Sequence, residues 1–518
     1  MLRGLRNANR LLVIVRCLAH HGALDLIEGH SAAHLGKSIA QWLWRPRHLV
    51  KELRPGQRLA LALTELGPTF IKFGQALSTR ADLLGEQCAS DLAELQDRLP
   101  PFAFKDAKAT VEEDFGVELL ALFESFEEKP VAAASIAQVH FAVTTEGHEV
   151  AVKVLRPGIK QAFARDISVL FWLAEWAERL MPRLRRLKPI EVVRTFQKTA
   201  RVEMDLRLEA AAAEELAENF AKDKTFRVPS VDWQRTSERL LTLERVAGAR
   251  IDSGTALADI GADPVAVVKN AAEVFFKMVF HHGFFHADMH PGNLFITSGG
   301  VIIAMDFGIM GRVNAETQKI LGEMLLGFLT RDYRKVAEAH LRAGFVPNHE
   351  SLDDFAQASR SIAEPILGKP ISEISIARLL GQLFQITETF EMQTQPQLLL
   401  LQKSMLLAEG VGRTLAPEVN MWELAKPMIE TWMYNQMKPE AVIANTTANM
   451  LGTLEKLPRI IDQVDMATAE MARGGFRLHP DTALKLRGDS SDGSPYHRSP
   501  AWAPWMIAVA LLALLILG

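Results

Sequence analysis

The segment His286–Gly308, HADMHPGNLFITSGGVIIAMDFG, limits this chain more than any other stretch. Asp288 is followed after five residues by Asn293 and after thirteen more by Asp306. Between the last two come an apolar run (294–297), the turn Ser298-Gly299-Gly300 and a β-rich run (301–305). Two short strands around a tight glycine turn form a hairpin. The hairpin carries Asn293 at its entrance and Asp306 at its exit, so the two fall on one side. Magnesium takes hard oxygen ligands and keeps several waters, so one Asn and one Asp bridging to phosphate oxygens suffice. Asp288 then serves as base or hydroxyl positioner. The tripeptide Asp306-Phe307-Gly308 alone means little. His286 and His290, with His281 and His282 nearby, also spell a His-x-Asp-x-His zinc pattern. Imidazoles suit zinc, but the rest of the chain answers the phosphate reading.

At 518 residues the chain is too long for one core, so two or more lobes are expected. The net charge of -4 gives no general argument for nucleic-acid binding, and no nucleic-acid partner is expected. Hydrophobic content of 48% and a mean hydropathy of +0.05 are high for a soluble enzyme and point to membrane contact. Two cysteines, Cys17 and Cys88, are too few for a disulfide framework and fit a reducing cytosol.

The N-terminal stretch is apolar with spaced arginines, and its run Leu11–Val15 stops at Arg16. That is too short for a signal core, and Arg16 spoils a lipid-attachment box at Cys17. An amphipathic surface helix is expected, packed on the protein or lying on a membrane. The other end differs. Residues 501–518 hold no charge. As a helix they extend about 27 Å, against roughly 30 Å for a bilayer core. Pro504 trims the unbroken part to about 21 Å. Trp502 and Trp505 sit where interfacial aromatics belong, after Lys485, Arg487 and Arg498. A single-pass C-terminal transmembrane helix over 501–518 is expected, with the catalytic body on the cytoplasmic side. A linker over 476–500 precedes it.

Residues 1–100 read as an all-α extension. Helices are expected over 57–66, from Pro68 onward and over 91–98, with Pro100-Pro101 closing the segment. The second holds Lys72, Gln75 and a mid-helix Gly74, which costs about 1 kcal/mol against Ala and asks for a close contact. Residues 101–248 read as a β-rich lobe with an inserted helix. From 131 to 141 a strand, a small-residue turn and a second strand are expected, then a β-rich run over 148–155 with Lys153 inside it. A lysine in an apolar strand must find an anion. A turn over phosphates is normally Gly-rich; here it is Ala132-Ala133-Ala134-Ser135, which makes a stiffer cradle. Helices follow over 159–180 and 189–219, the second with Glu203, Asp205 and Glu209. Glu203 and Glu209 lie about 240° apart on one helix, so they cannot easily share a partner. One acid is left for Lys153 and the others for a second cation. Strands over 226–233 and 239–243 complete a small sheet, and 244–248 is a hinge where backbone meets a base edge. Residues 249–475 read as helical around the catalytic loop.

Taken together, these residues resemble the UbiB family of atypical protein-kinase-like proteins. The likeness rests on Lys72-x-Gly74-Gln75, the Ala-rich loop through Gln138-Val139-His140, Lys153, Glu203-x-Asp205, the segment from His286 to Asn293, and Asp306-Phe307-Gly308. It implies an α+β, bilobal, atypical protein-kinase-like fold with a helical C-lobe. It implies ATP or ADP with Mg²⁺ as cofactors. Nucleotide lies against Ala132, Ala133, Ala134, Ser135, Ile136, Ala137, Val139, Lys153, Glu209, Glu244 and Val246. Lys153 pairs with Glu209 and, with Asp288, is catalytic; Asn293 and Asp306 hold the metal. Lys72 and Gln75 belong to an extension over the active site, with Glu203 and Asp205 as its contacts. That arrangement disfavours phosphorylating a protein in trans. It favours an ATPase linked to lipid or quinone intermediates in ubiquinone biosynthesis at the bacterial inner membrane. Membrane lipid, polyprenyl-phenol or quinone intermediates and ubiquinone-biosynthesis enzymes are the expected partners, and a homodimer is compatible. The competing readings are a true kinase of a small molecule or protein, a scaffold, and a ring hydroxylase. A monooxygenase needs flavin, haem or iron, and no G-x-G-x-x-G opens a βαβ unit here, so at most an indirect role in hydroxylation remains.

Overall fold

The computed structural model describes residues 2–23, 52–78, 85–93, 95, 99–180, 188–367, 369, 382, 385–387, 389–392 and 396–437. The chain divides into two compact units, 1–29 with 37–430, and 30–36 with 431–518. Nearly all that is described belongs to the first.

The extension begins with α1 (Leu2–His20), α2 (Pro55–Leu66), α3 (Pro68–Ser78) and α4 (Glu86–Ala93). Gly67, at φ 104°, ends α2, and Pro68 opens α3 at the first-turn position that needs no N–H. The N-terminal helix packs on the protein: Ile14 and Cys17 are buried. Arg10 donates to both carboxylate oxygens of Asp166 at 2.8 and 3.0 Å and to Leu66 O at 3.1 Å. Gly74 meets the close contact its sequence position asks for, since a Cβ there would lie 2.5 Å from Leu95 Cδ1 and 2.7 Å from Leu63 Cδ1.

Next come α5 (Phe104–Phe115), a helix the sequence pattern did not disclose, and the one-turn α6 (Leu119–Leu122). Four strands follow, β1 (Phe123–Phe126), β2 (Ala132–Ala133), β3 (Ala137–Thr144) and β4 (Glu149–Leu155). Then α7 (Ile159–Leu180), α8 (Pro189–Glu203) and α9 (Leu206–Asn219) run to β5 (Phe226–Arg227) and β6 (Leu240–Glu244). The sheet order is β1-β3-β4-β6, with β2 on β3. Val139 stands opposite both Ala132 and Lys153, and Lys153 opposite Leu241. Two corrections fall here. The sequence predicts one helix over 189–219, but the chain breaks at Met204, and Asp205 accepts from the Arg207 N–H to cap α9. The 240° separation of Glu203 from Glu209 therefore does not hold. The sequence also puts 226–233 and 239–243 in one sheet. Pro229 divides the first: β5 before it pairs parallel to β10, while Val231 after it bridges Leu243 of β6, the strand that joins β4.

The remainder holds β7 (Ala249–Arg250), α10 (Gly254–Asp259), α11 (Pro264–Phe276), β8 (Phe284–His286), β9 (Leu294–Ile296), β10 (Ile302–Ala304) and β11 (Met310–Arg312). After them come α12 (Ala315–Leu329), α13 (Tyr333–Arg342), α14 (Leu352–Ala363), α15 (Pro396–Leu415) and α16 (Met421–Met437). The hairpin is β9–β10, with Ile302 opposite Ile296 and Ala304 opposite Leu294. A wide turn over 277–281 leads from α11 into β8. Among the described residues no helix is long and apolar enough to cross a membrane. The linker and anchor expected over 476–500 and 501–518 lie outside the described residues.

Candidate active site

The lysine in the sheet finds its anions. Lys153 Nζ donates to Glu209 at 2.8 and 3.0 Å and to Asp306 Oδ1 at 3.3 Å. The inserted α7 and α8 explain the 56-residue gap between Lys153 and Glu209. Burial alone would lower the lysine's pKa, but the Asp306 and Glu209 carboxylates overrule it and raise it. One ammonium therefore serves two acids. Glu209, the more buried, is pushed up to about 7 by burial, which Lys153 only partly offsets. Asp306, with 53% of its side chain exposed, is held well below the usual carboxylate range by Lys153, helped by Lys72 and His286. Asp306 also has φ 60°, left-handed backbone that Asp tolerates better than bulkier residues.

The catalytic loop is tied from within. Asp288 N–H donates to His286 Nδ1 at 3.1 Å. The Asp288 carbonyl accepts from His290 N–H at 2.7 Å and from Asn293 Nδ2 at 3.0 Å. The hairpin closes as its sequence promises, Met305 N–H donating to Asn293 O at 2.8 Å. With its amide nitrogen so held, Asn293 has Oδ1 to offer a cation. Asn293 and Asp306 thus supply the hard oxygen donors that Mg²⁺ prefers. The zinc pattern fails on geometry. His286 is buried, with Nδ1 accepting from Asp288 and Nε2 facing Met305 O at 3.1 Å, and burial lowers its pKa. His290 Nδ1 accepts from Gly292 N–H.

The Ala-rich turn sits beside Lys153 because Val139 pairs with both. Arg156, unnoticed in the sequence, pins it: the guanidinium donates to Ser135 O at 3.3 Å and Ala134 O at 3.5 Å and lies over the Phe102 ring. Gln138 is structural, exchanging bonds with the Phe102 backbone. Ile136 and Ala137 are buried. Glu244, at the end of β6, pairs with Arg227 at 3.0 Å, and Val246 lies in the irregular link to β7.

Lys72 reaches Glu203 at 3.2 Å, which joins α3 of the extension to the end of α8. Gln75 donates to Leu95 O at 3.3 Å and so binds the extension to itself. Asp205 departs from the role the resemblance implied: its two oxygens bond Arg207 at 2.9 and 2.8 Å. The spacing of motifs in the sequence does not mark one further residue. Lys403 of α15 donates to Asp288 Oδ1 at 2.8 Å.

Known proteins share this arrangement of segments. Residues 94–340 match the ABC1 atypical kinase-like domain and residues 359–420 the UbiB helical domain. The protein described as "Probable protein kinase UbiB" of Pseudomonas putida (strain W619) is 41% identical over 503 residues, 92% of each chain. Its namesake in Azotobacter vinelandii is 40% identical over 495 residues, 92% of this chain and 91% of that one. The chain belongs to the UbiB family. Among solved structures, the Rv3197–erythromycin complex of Mycobacterium tuberculosis matches with a TM-score of 0.51 at 22% identity, over 76% of this chain and 96% of that one, which shows a shared fold. Lys403 lies within the UbiB helical segment, whereas Lys153, Asp288, Asn293 and Asp306 lie within the kinase-like one.

Proposed function

We propose that this UbiB-family chain is an Mg²⁺-dependent, kinase-like ATPase that serves ubiquinone biosynthesis by acting on polyprenyl-phenol or quinone intermediates at the bacterial inner membrane. The observation that carries the reading is the Lys153–Glu209–Asp306 cluster, with Asp288 and Asn293 on the adjoining loop. Lys153 orients the α- and β-phosphates, Asp306 and Asn293 hold the metal, and Asp288 receives the nucleophile's proton. Bound Mg²⁺ would neutralise charge on the phosphate oxygens. The Ala132–Val139 loop and the Glu244–Val246 link hold the nucleotide. The Lys72–Glu203 pair favours water or a small acceptor over a protein, because it keeps the extension fastened beside the site.

The test is phosphate release from ATP by the full chain with Mg²⁺, with and without anionic vesicles and a quinone-like phenol. Release should rise with lipid or phenol and fall about 10²- to 10⁴-fold in Asp288→Asn and Asp306→Asn. Unchanged release in Asp306→Asn sinks the metal assignment. Nucleotide binding without release favours the scaffold, and label transferred to a protein favours the kinase. Membrane attachment rests on the uncharged 501–518 segment. Deleting it should move the protein to the soluble fraction, and continued sedimentation with membranes would remove the anchor from the proposal.

A further inference from the structure

Between Asp288 and Asn293 the chain reads DMHPGN, with no lysine or arginine. The carboxylate nonetheless has an ammonium against it. Lys403, 115 residues downstream on α15, donates to Asp288 Oδ1 at 2.8 Å. Its helix is seated there by independent contacts. Ser404, wholly buried, shares its one O–H between the His286 carbonyl at 3.3 Å and Leu400 O at 3.0 Å. Further along, Ala408, Val411 and Gly412 line a small apolar cavity with Val268, Met289 and Leu294. Met289 is the residue after Asp288, so one face of α15 bonds the loop before that aspartate and faces it across the cavity after it. Positions 404, 408 and 411 are spaced by four and three, one helical stripe.

The pair is not sealed. The Lys403 side chain is 41% exposed and that of Asp288 32%. An ammonium carries three donors, and the Asp288 bond uses one. An incoming anion can therefore meet the same nitrogen.

We propose that Lys403 is the positioning cation of the transfer site, and that through it the helical segment sets the turnover of the kinase-like segment. The proposal rests on the phosphoryl-transfer reading above. Lys403 holds Oδ1, which leaves Asp288 Oδ2 to face the nucleophile's O–H. As the nucleophile's oxygen bonds to Pγ, its proton passes to Asp288 Oδ2. The bond from Pγ to the bridging oxygen breaks, with its electron pair leaving on the β-phosphate of ADP. A carboxylate beside a transferring phosphoryl group repels it. The adjacent ammonium offsets that repulsion where negative charge is spread over the phosphoryl oxygens. A displacement of α15 withdraws this cation without touching the nucleotide's other contacts.

The experiment uses the full chain with ATP, Mg²⁺ and anionic vesicles, comparing the unmodified protein with Lys403→Met, Lys403→Arg and Lys403→Ala. Loss of one preorganised donor predicts a fall in kcat of about 10²-fold in Lys403→Met. The nucleotide Kd and the melting temperature should stay near those of the unmodified protein. Lys403→Arg should recover part of kcat, and added ethylamine should restore turnover to Lys403→Ala in proportion to its concentration. Unmodified kcat in Lys403→Met overturns the proposal alone. So does a lower melting temperature with no recovery by Arg or amine, which would make the lysine a packing element. No turnover in the unmodified protein defeats the parent reading and this one with it.

Discussion

The site draws its lysines from two kinds of element. Lys153 sits in a strand, where Val139 on one side and Leu241 on the other fix its position by sheet register. It meets Glu209 and Asp306 with 19% of its side chain exposed. Lys72 and Lys403 sit on helices and reach Glu203 and Asp288 across helix packing. A strand-borne cation moves only if the sheet moves. A helix-borne cation moves whenever its helix slides or lifts. Permanent phosphate binding suits the first, and control of access or timing suits the second.

Loss of the strand-borne Lys153 has the largest expected effect. Lys153→Met should cut ATP turnover by about 10²- to 10³-fold, as the loss of a preorganised cation does. Removing one partner of a buried pair costs about 3–5 kcal/mol. Here the cost should fall toward the lower figure, because Glu209, already pushed up to about 7, takes a proton readily. The double variant Lys153→Met/Glu209→Leu should regain most of the stability in urea unfolding and none of the turnover. Recovery of turnover in the double variant would show that the pair is structural.

Lys72→Met sharpens the other side. The pair it breaks is mostly buried, at 16% and 13% exposed, so about 1–3 kcal/mol of stability should go. Amide exchange over 55–78 should quicken while the strand bearing Lys153 stays protected. Equal exchange in both would mean that the extension and the sheet open as one body.

The smallest effect belongs to a lysine at the start of the 277–281 turn, away from the chemistry. Lys277 bonds Asp223 at 2.8 Å and joins the link between α9 and β5 to the turn before β8. Burial works against the carboxylate, but Lys277 and Thr225 hold its pKa down to about 2, against an ordinary 3.8. A depressed acid stabilises the fold above its unfolded pKa, and that stability is lost as pH falls from about 4 toward 2. With Lys277 30% exposed, the contribution is about 1 kcal/mol after solvent screening. Lys277→Met should flatten the stability profile over that window, read by urea unfolding at a series of pH values.

Much of this architecture was legible because short-range patterns carry it. The hairpin from Asn293 to Asp306 is two apolar runs and a glycine turn, and it formed as read. The helix over 159–180 follows from apolar periodicity. Gly74 announced a close approach by being a glycine in mid-helix. Failures came where a local signal was overruled by a partner elsewhere. The 189–219 helix broke because Asp205 caps the next one, an option its apolar spacing does not display. The 226–233 strand divided at Pro229, with Phe226 pairing to Ile302 of the β9–β10 hairpin and Val231 bridging Leu243 of β6. Arg156 carries no local signal, since the turn it pins lies 21 and 22 residues away in sequence.

The sequence by itself determined which chemistry this protein can hold, since Asp288, Asn293 and Asp306 are spaced along one continuous segment and Lys153 stands in an apolar strand that demands an anion. It also determined the family, whose motifs are written in consecutive residues. The likeness to that family also paired Lys153 with Glu209 and set Glu203 against the extension that bears Lys72. Only the tertiary structure turned Asp205 to Arg207 and brought Lys403 across 115 positions to Asp288. The reason is physical. Strand and turn propensities act over a few residues, whereas an ion pair depends on where two separately folded elements pack, and nothing in the spacing of α15 from the catalytic loop states that they touch.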